Sequence, residues 1–188
     1  MKATGIVRRI DDLGRVVIPK EIRRTMRIRE GDPLEIYTDR EGEVIFKKYS
    51  PIGELAGFAA QYAETLHKTC SLSVLICDRD AVIACSGVSK KEYADKALSD
   101  ELEAIIERRG LYVWQEGEPK LAVLATAQAD EGHYISCAMP IISEGDIIGC
   151  VVSVQSAEQG RSALAPAEDV ETKLIQTAAG FLGRQLEN

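Results

Sequence analysis

The 188-residue sequence predicts a two-domain α+β fold: a small basic head, then a larger acidic body whose antiparallel sheet is flanked by helices. Three observations carry that prediction. The net charge of −7 divides unevenly, with 12 Lys and Arg against 9 Asp and Glu in residues 1–50, but 11 against 21 in residues 51–188. Asymmetry of this kind suits a basic part that meets a polyanion and an acidic part kept off it. Ser50-Pro51 interrupts the pattern between short alternating strands and a helical stretch. Beyond it, apolar runs of strand length alternate with helical periodicity.

Within the head, residues 3–10 are rich in strand formers, and Asp11-Asp12-Leu13-Gly14 supplies turn chemistry. Residues 15–18 form a second expected strand. Pro19 then suits the first turn of a helix over residues 20–28, which Glu30-Gly31-Asp32-Pro33 stops. Ile22 and Met26 make its core-facing stripe. Residues 34–38 and 43–48 are two further strands joined through Arg40-Glu41-Gly42. Four strands of about five residues and one short helix bury too little apolar surface to stand alone. With no disulfide or metal to compensate, dimerisation is the expected remedy.

Residues 51–71 read as a linker that is also a packing helix. Ile52, Leu55, Ala59, Tyr62 and Leu66 fall at coiled-coil-like spacing over about two heptads. The body, residues 72–188, then shows strands at 72–77, 81–85, 121–127, 134–142 and 147–154, with a hairpin turn at Glu144-Gly145-Asp146. A helix over 89–109 is expected to open with a capping box of Ser89 and Glu92 and to bury Leu98, Leu102 and Ile105. The last helix, 166–186, offers Val170, Leu174, Phe181 and Leu182. The strands are almost continuously apolar, so both sheet faces must be covered. Helices 51–68 and 166–186 can cover one face; helix 89–109 and the 110–120 loop, with Tyr112 and Trp114, can cover the other.

No run approaches the roughly 18 apolar residues of a membrane span, and the N-terminus lacks a secretory pattern, so a cytoplasmic location without membrane contact is expected. Cys70, Cys77, Cys85, Cys137 and Cys150 contain no C-x-x-C pair, and His67 and His133 lie at no metal-ligand spacing. Reduced, buried thiols and no zinc are the reading. Two histidines without a serine motif give hydrolytic chemistry little to work with. No catalytic residue, cofactor or metal is expected.

The basic constellation is Arg8, Arg9, Arg15, Lys20, Arg23, Arg24 and Arg27. In residues 1–29, arginine outnumbers lysine seven to two, and nine basic residues face three acidic ones. Lys20/Arg24 and Arg23/Arg27 are like-charge pairs four apart, each costing about 0.2–0.5 kcal/mol on a helix. A short helix that carries such costs reads as functional, its guanidinium forks fitted to phosphate or to guanine O6 and N7. The bland alternative is a solvated face paired with Asp11, Asp12 and Glu21. The absence of aromatic interleaving disfavours single-stranded nucleic acid.

Residues 4–19, Thr4-Gly5-Ile6-Val7-Arg8-Arg9-Ile10-Asp11-Asp12-Leu13-Gly14-Arg15-Val16-Val17-Ile18-Pro19, resemble the signature of AbrB-type transition-state regulators, and Glu21-Ile22-Arg23-Arg24-Thr25 and Asp32-Pro33-Leu34-Glu35-Ile36 continue it. That resemblance implies a swapped-hairpin dimer whose strands interleave into one β-barrel, with double-stranded DNA held by Arg8, Arg15, Arg23 and Arg24. The whole chain is similar to the stage V sporulation protein T family, through Tyr49-Ser50-Pro51-Ile52, Ser73-Val74-Leu75-Ile76-Cys77-Asp78-Arg79-Asp80, Ser89-Lys90-Lys91 and Thr177-Ala178-Ala179-Gly180-Phe181-Leu182. This implies a GAF-like body, a tetramer built as a dimer of dimers, and an activator or repressor of sporulation-type genes. A small-molecule effector is a further expected partner, since the sheet's second face needs cover and ligand pockets are mainly apolar with a few polar groups. Two alternatives have other chemistry: an antitoxin-like interaction protein with the same head, and a thiol-redox enzyme built on the GAF-like fold. The first expects a disordered tail where residues 72–188 read as folded, and the second needs reactive thiols where apolar neighbours quieten them.

Overall fold

A computed structural model describes residues 5–126 and 132–187. It divides into two compact units, Met1–Tyr49 and Ser50–Asn188.

In the first unit, Pro19 (φ −57°) leads into helix α1, Lys20–Thr25. The helix ends earlier than the expected residue 28. Arg27 takes a left-handed φ of 51°, its N–H bonds to the Arg24 carbonyl at 3.3 Å, and the Ile28 N–H bonds to the Arg23 carbonyl at 2.8 Å. This is a Schellman closure with arginine where glycine is usual. Without a glycine, the sequence carried no stop signal there. Strands β1 (Leu34–Thr38) and β2 (Val44–Lys48) form an antiparallel hairpin with Ile36 opposite Phe46. Asp39 Oδ1 ties its loop by accepting from the Glu41 and Glu43 N–H groups, each at 2.9 Å.

The expected strands at 3–10 and 15–18 are not ladder strands, and no closed barrel forms among the described residues of the chain; residues 3 and 4 lie outside them. A tight turn does join the two segments, with the Asp11 N–H on the Arg15 carbonyl and the Gly14 N–H on the Asp11 carbonyl, both at 3.0 Å. A strand needs a ladder partner and a face to bury, and these segments have neither within the unit. Val7, Ile10, Leu13 and Val17 are each at least 69% exposed. The stripe expected to face a core is likewise uncovered: Ile22 is half-buried and Met26 exposed.

The second unit starts with short helix α2 (Pro51–Glu54), capped by Ser50 Oγ accepting from the Gly53 N–H at 3.1 Å, and continues into α3 (Ala56–Cys70). Strands β3 (Ser73–Cys77), β4 (Val82–Ser86), β5 (Tyr112–Val113), β6 (His133–Ser143) and β7 (Asp146–Ser156) make one antiparallel sheet in the order β4-β3-β7-β6-β5. Glu144 and Gly145, with φ of 49° and 88°, form the two-residue turn between β6 and β7. Positive φ at both positions matches the right-handed twist of the flanking strands.

Both sheet faces are covered. Helices α2, α3 and α6 (Glu168–Gln185) bury one face around Ile52, Val74, Ile76, Ile141, Val151 and Ile175. The other face packs Leu75, Ile135, Val152, Leu98, Leu102 and Ile106 beneath helix α5 (Asp100–Glu107). The apolar seam of residues 52–66 is spent inside this unit: Ile52, Ala59 and Leu66 are buried in its core, whereas Leu55 and Tyr62 are half-buried.

Three expectations within this unit need correction. The helix expected over 89–109 is two helices, α4 (Lys90–Tyr93) and α5, separated by Asp95 at φ 60°. Ser89 makes no side-chain cap; Ser99 is the cap, its Oγ accepting from the Leu102 N–H at 3.1 Å and donating to the Ala122 carbonyl at 2.6 Å. The chain between them bridges Ala97 to Ala81 and Leu98 to Leu124, which a continuous helix would forbid. The strand expected at 121–127 is reduced to isolated bridges at Ala122 and Leu124, with residue 127 outside the described segment. On α6, Val170 is exposed and Phe181 keeps an exposed edge while its ring packs on Phe58 and Tyr62 of α3, and the fully buried face is Glu171, Ile175, Ala178, Ala179, Leu182 and Gly183. Small residues bring this helix close to the sheet: a Cβ on Gly183 would collide with the Ile142 carbonyl oxygen.

Glu171 is the one charged residue in the described core, 2% exposed. Ser153 Oγ donates to its Oε1 at 2.5 Å, and Arg161 pairs with its Oε2 at 2.7 Å. A buried carboxylate requires such partners.

Candidate nucleic-acid interface

The seven basic residues fall on two neighbouring stretches of the first unit. Arg8, Arg9 and Arg15 flank the turn at 11–14; Lys20, Arg23 and Arg24 lie on α1, with Arg27 just past its C-cap. The turn is built to hold Arg15. Asp11 Oδ1 accepts from the Leu13 and Arg15 N–H groups at 3.0 and 2.7 Å, while its Oδ2 takes Arg15 Nε at 2.7 Å. Those bonds hold the Asp11 carboxyl below its ordinary pKa, the Arg15 backbone N–H contributing most.

Among the described residues, Arg8, Arg9, Lys20, Arg23 and Arg24 form no ion pair. Arg8 reaches only the neighbouring Val7 carbonyl, at 3.4 Å. Arg23 is half-buried, and its Nε is shut from solvent without a hydrogen-bond partner. The bland reading, with acidic side chains neutralising this face, therefore holds for Arg15 and not for Arg8, Arg9, Lys20, Arg23 or Arg24. Exposed guanidinium groups without counter-charges are what a polyanion requires.

Lys48 was missed as part of this region. It crosses from β2, donates to the Arg27 carbonyl at 2.8 Å and pairs with Asp32 at 3.6 Å. Asp32 in turn accepts from the Arg29 N–H at 2.7 Å. Lys48 thus fixes the exit of α1, over a separation of 21 residues that no local pattern displays.

The second unit shows no arrangement for chemistry among the described residues. Cys77, Cys85, Cys137 and Cys150 are buried. Desolvation raises their thiols, Cys137 up to about 12. Protonated thiols are poor nucleophiles. His67 Nδ1 contacts the Leu72 carbonyl at 2.9 Å, and His133 Nδ1 contacts Tyr93 Oη at 3.2 Å, with burial pushing His133 below its ordinary pKa. No group of metal-ligating side chains and no helix long and apolar enough to cross a membrane occurs among the described residues. Of the residues expected on the lid, Tyr112 packs on the α5 side of the sheet from edge strand β5, and Trp114 meets Tyr134 edge-on at 5.0 Å.

Residues 54–187 match the family profile of the stage V sporulation protein T C-terminal, transcription factor, and residues 7–53 match that of the MazE antidote-toxin recognition antitoxins. Stage V sporulation protein T of Bacillus subtilis is 54% identical over 187 residues, covering 100% of this chain and 99% of that protein. The transition state regulatory protein AbrB of Bacillus subtilis is 65% identical over 51 residues, 27% of this chain and 52% of that protein. Among solved structures, a methyl-accepting chemotaxis protein superposes over 70% of this chain and 88% of its own, with a TM-score of 0.51 and 18% identity. The GAF domain of the nutrient sensor CodY from Clostridium difficile covers 68% of this chain and 83% of its own, with a TM-score of 0.47 and 18% identity. The chain belongs to the stage V sporulation protein T family of transcription factors, with an AbrB-type head, and not to a family of enzymes.

Proposed function

We propose that this transcription regulator grips double-stranded DNA with Arg8, Arg15, Arg23 and Arg24, aided by Arg9, Lys20 and Arg27, to govern sporulation-type genes as activator or repressor from the cytoplasm. The single observation that carries the reading is the cluster of cations on the turn and on α1, of which Arg8, Arg9, Lys20, Arg23 and Arg24 have no carboxylate partner among the described residues. Residues 1–50 serve as the DNA-binding domain, 51–71 as linker and packing helix, and 72–188 as the sensing and oligomerisation domain. The exposed apolar row of Val7, Ile10, Leu13 and Val17 supports a swapped-hairpin dimer, since such a row is buried only against a second surface. Two such dimers joined through their bodies make the tetramer, and an effector bound in the body favours one spacing of the heads over another. A folded second unit stands where an antitoxin reading expects a disordered tail.

Arg23→Ala and Arg24→Ala test the reading through binding to one short duplex across a salt series. Each change removes two cations from a dimer, so the log–log salt slope shrinks by about 2 if both contact phosphate. Unchanged slope and affinity in these variants and in Arg8→Ala and Arg15→Ala would overturn it.

A further inference from the structure

A cavity of about 380 Å³ opens at one end of the body's sheet, on the face that α6 covers. Its side is fixed by Gln155, two residues along β7 from Ser153, whose hydroxyl bonds Glu171 of α6. Trp114, Lys120, Tyr134, Ser136, Gln155 and Arg161 line it. We propose that this cavity binds a planar organic anion, in its simplest form an aromatic carboxylate, with the carboxylate on Lys120 and Arg161 and the ring against Trp114. The proposal rests on reading the body as a sensor, and it gives that sensor a place and a ligand class.

Lys120 is half-buried, donates to the Ala157 carbonyl at 2.8 Å and sits 4.9 Å above the Tyr134 ring. Among the described residues no carboxylate pairs with it, in a unit with 21 acidic residues against 11 basic ones. A partly desolvated ammonium without a counter-charge is costly, and an anion in the cavity removes that cost. Two carboxylates also line the cavity, Glu116 and Glu168. Both are exposed, and Glu168 already accepts from Gln115 Nε2 at 3.3 Å. Solvent screens them more than it screens Lys120.

Arg161 supplies the second cation. Both of its described contacts, to the Glu171 carboxylate and the Pro166 carbonyl, use one terminal nitrogen. Nε and the other terminal nitrogen keep their donors, on a side chain 32% exposed. A guanidinium fork so held matches a planar carboxylate. The remaining walls are fixed in advance. Trp114 Nε1 donates to the Glu118 carbonyl at 3.1 Å, and Tyr134 braces the indole edge-on at an interplanar angle of 64°. Tyr134 Oη donates to Gln155 Oε1 at 2.9 Å, and Gln155 Nε2 donates to Ser136 Oγ at 2.8 Å. Tyr134 is buried, whereas Trp114 is half-exposed, so the indole offers the surface on which a flat ring packs. Gln155, Gly160 and Arg161 also line an adjoining cavity of about 480 Å³, which leaves room for ring substituents.

Trp114 is the only tryptophan of the chain, so its fluorescence reports on this cavity alone. The full-length protein is titrated with benzoate, cyclohexanecarboxylate, benzyl alcohol and inorganic phosphate. The expected result is a saturable change with benzoate, and binding at least about tenfold weaker for the other three, which lack the flat ring, the charge or both partners at once. Lys120→Gln weakens benzoate by about tenfold or more, and Lys120→Arg, which keeps the charge, retains it. No saturable response, equal binding of all four probes, or benzoate affinity indifferent to Lys120→Gln overturns the proposal. If Lys120→Gln lowers the melting temperature, Lys120→Arg and the probe series decide. Benzoate binding that leaves DNA binding at paired sites unchanged upholds the cavity and refutes the sensor reading. DNA binding that responds to cell metabolites, without benzoate binding, does the reverse.

Discussion

The two units handle their apolar residues in opposite ways. The body has two cores, one on each side of a five-stranded sheet, and its large aliphatic residues such as Ile52, Leu75, Leu102, Ile135 and Ile175 are at most 0% exposed. The head, within one chain, leaves Val7 84% and Val17 71% exposed and, among its described residues, holds a two-stranded hairpin and a six-residue helix. The sequences of both have strand-length apolar runs. What differs is where the partner surface lies: the body's strands find ladder partners and two helical layers in their own chain, and the head's segments 5–10 and 15–18 find neither. In the proposed swapped-hairpin dimer, stability that is internal in the body comes to the head from a second chain, which would tie DNA binding to protein concentration.

The largest expected effect breaks the head alone. Val17→Asp places a carboxylate where the proposed dimer buries a methyl pair, twice by symmetry. Head association measured by sedimentation should fall, and affinity for a short duplex should drop by at least about 100-fold. The body's melting should not change. If Val17→Asp leaves both association and DNA binding intact, the exposed row is an ordinary surface and the comparison fails.

The converse substitution acts in the body. Ile175→Ala deletes a fully buried side chain on α6 and should cost about 2–5 kcal/mol in urea unfolding of the body, with single-site DNA affinity unaltered. A cost below about 1 kcal/mol would mean that α6 closes onto the sheet without it.

A smaller effect sharpens the contrast within the head itself. Arg27 sits at a left-handed position that glycine prefers, so Arg27→Gly should raise head stability by about 0.5–1 kcal/mol. DNA affinity should fall at the same time if Arg27 touches the duplex. Raised stability with unchanged affinity removes Arg27 from the proposed interface and leaves the rest.

Much of this was legible along the chain. Near-continuous apolar runs at 72–77, 134–142 and 147–154 call for cover on both sheet faces, and the structure supplies α3 and α6 on one face and α5 on the other. The basic cluster is equally plain in residues 8–27. Two features misled. Ser89 followed by Glu92 satisfies the capping pattern, but the Ala81–Ala97 bridge holds the chain extended there, and Ser99 caps the helix instead. On α6, hydrophobicity favoured Val170 and Phe181, whereas packing selected Ala178, Ala179 and Gly183 because only small side chains let the helix reach the Ile142 carbonyl. At the candidate interface, residue types were readable; the partnerless burial of Arg23 Nε and the reach of Lys48 to Arg27 were not.

The sequence by itself determined the division at Ser50-Pro51, the charge of each part, the strand and helix periods, and the arginines available to meet a polyanion. These are local quantities, set by residue type and spacing along the chain. Tertiary structure alone decided the sheet order β4-β3-β7-β6-β5, the break between α4 and α5, and the pairing of Glu171 with Ser153 and Arg161. It also decided which cations have carboxylate partners and which do not. The physical reason is distance along the chain: such contacts join residues ten or more positions apart, their energies depend on burial and geometry, and neither exists until the layers close.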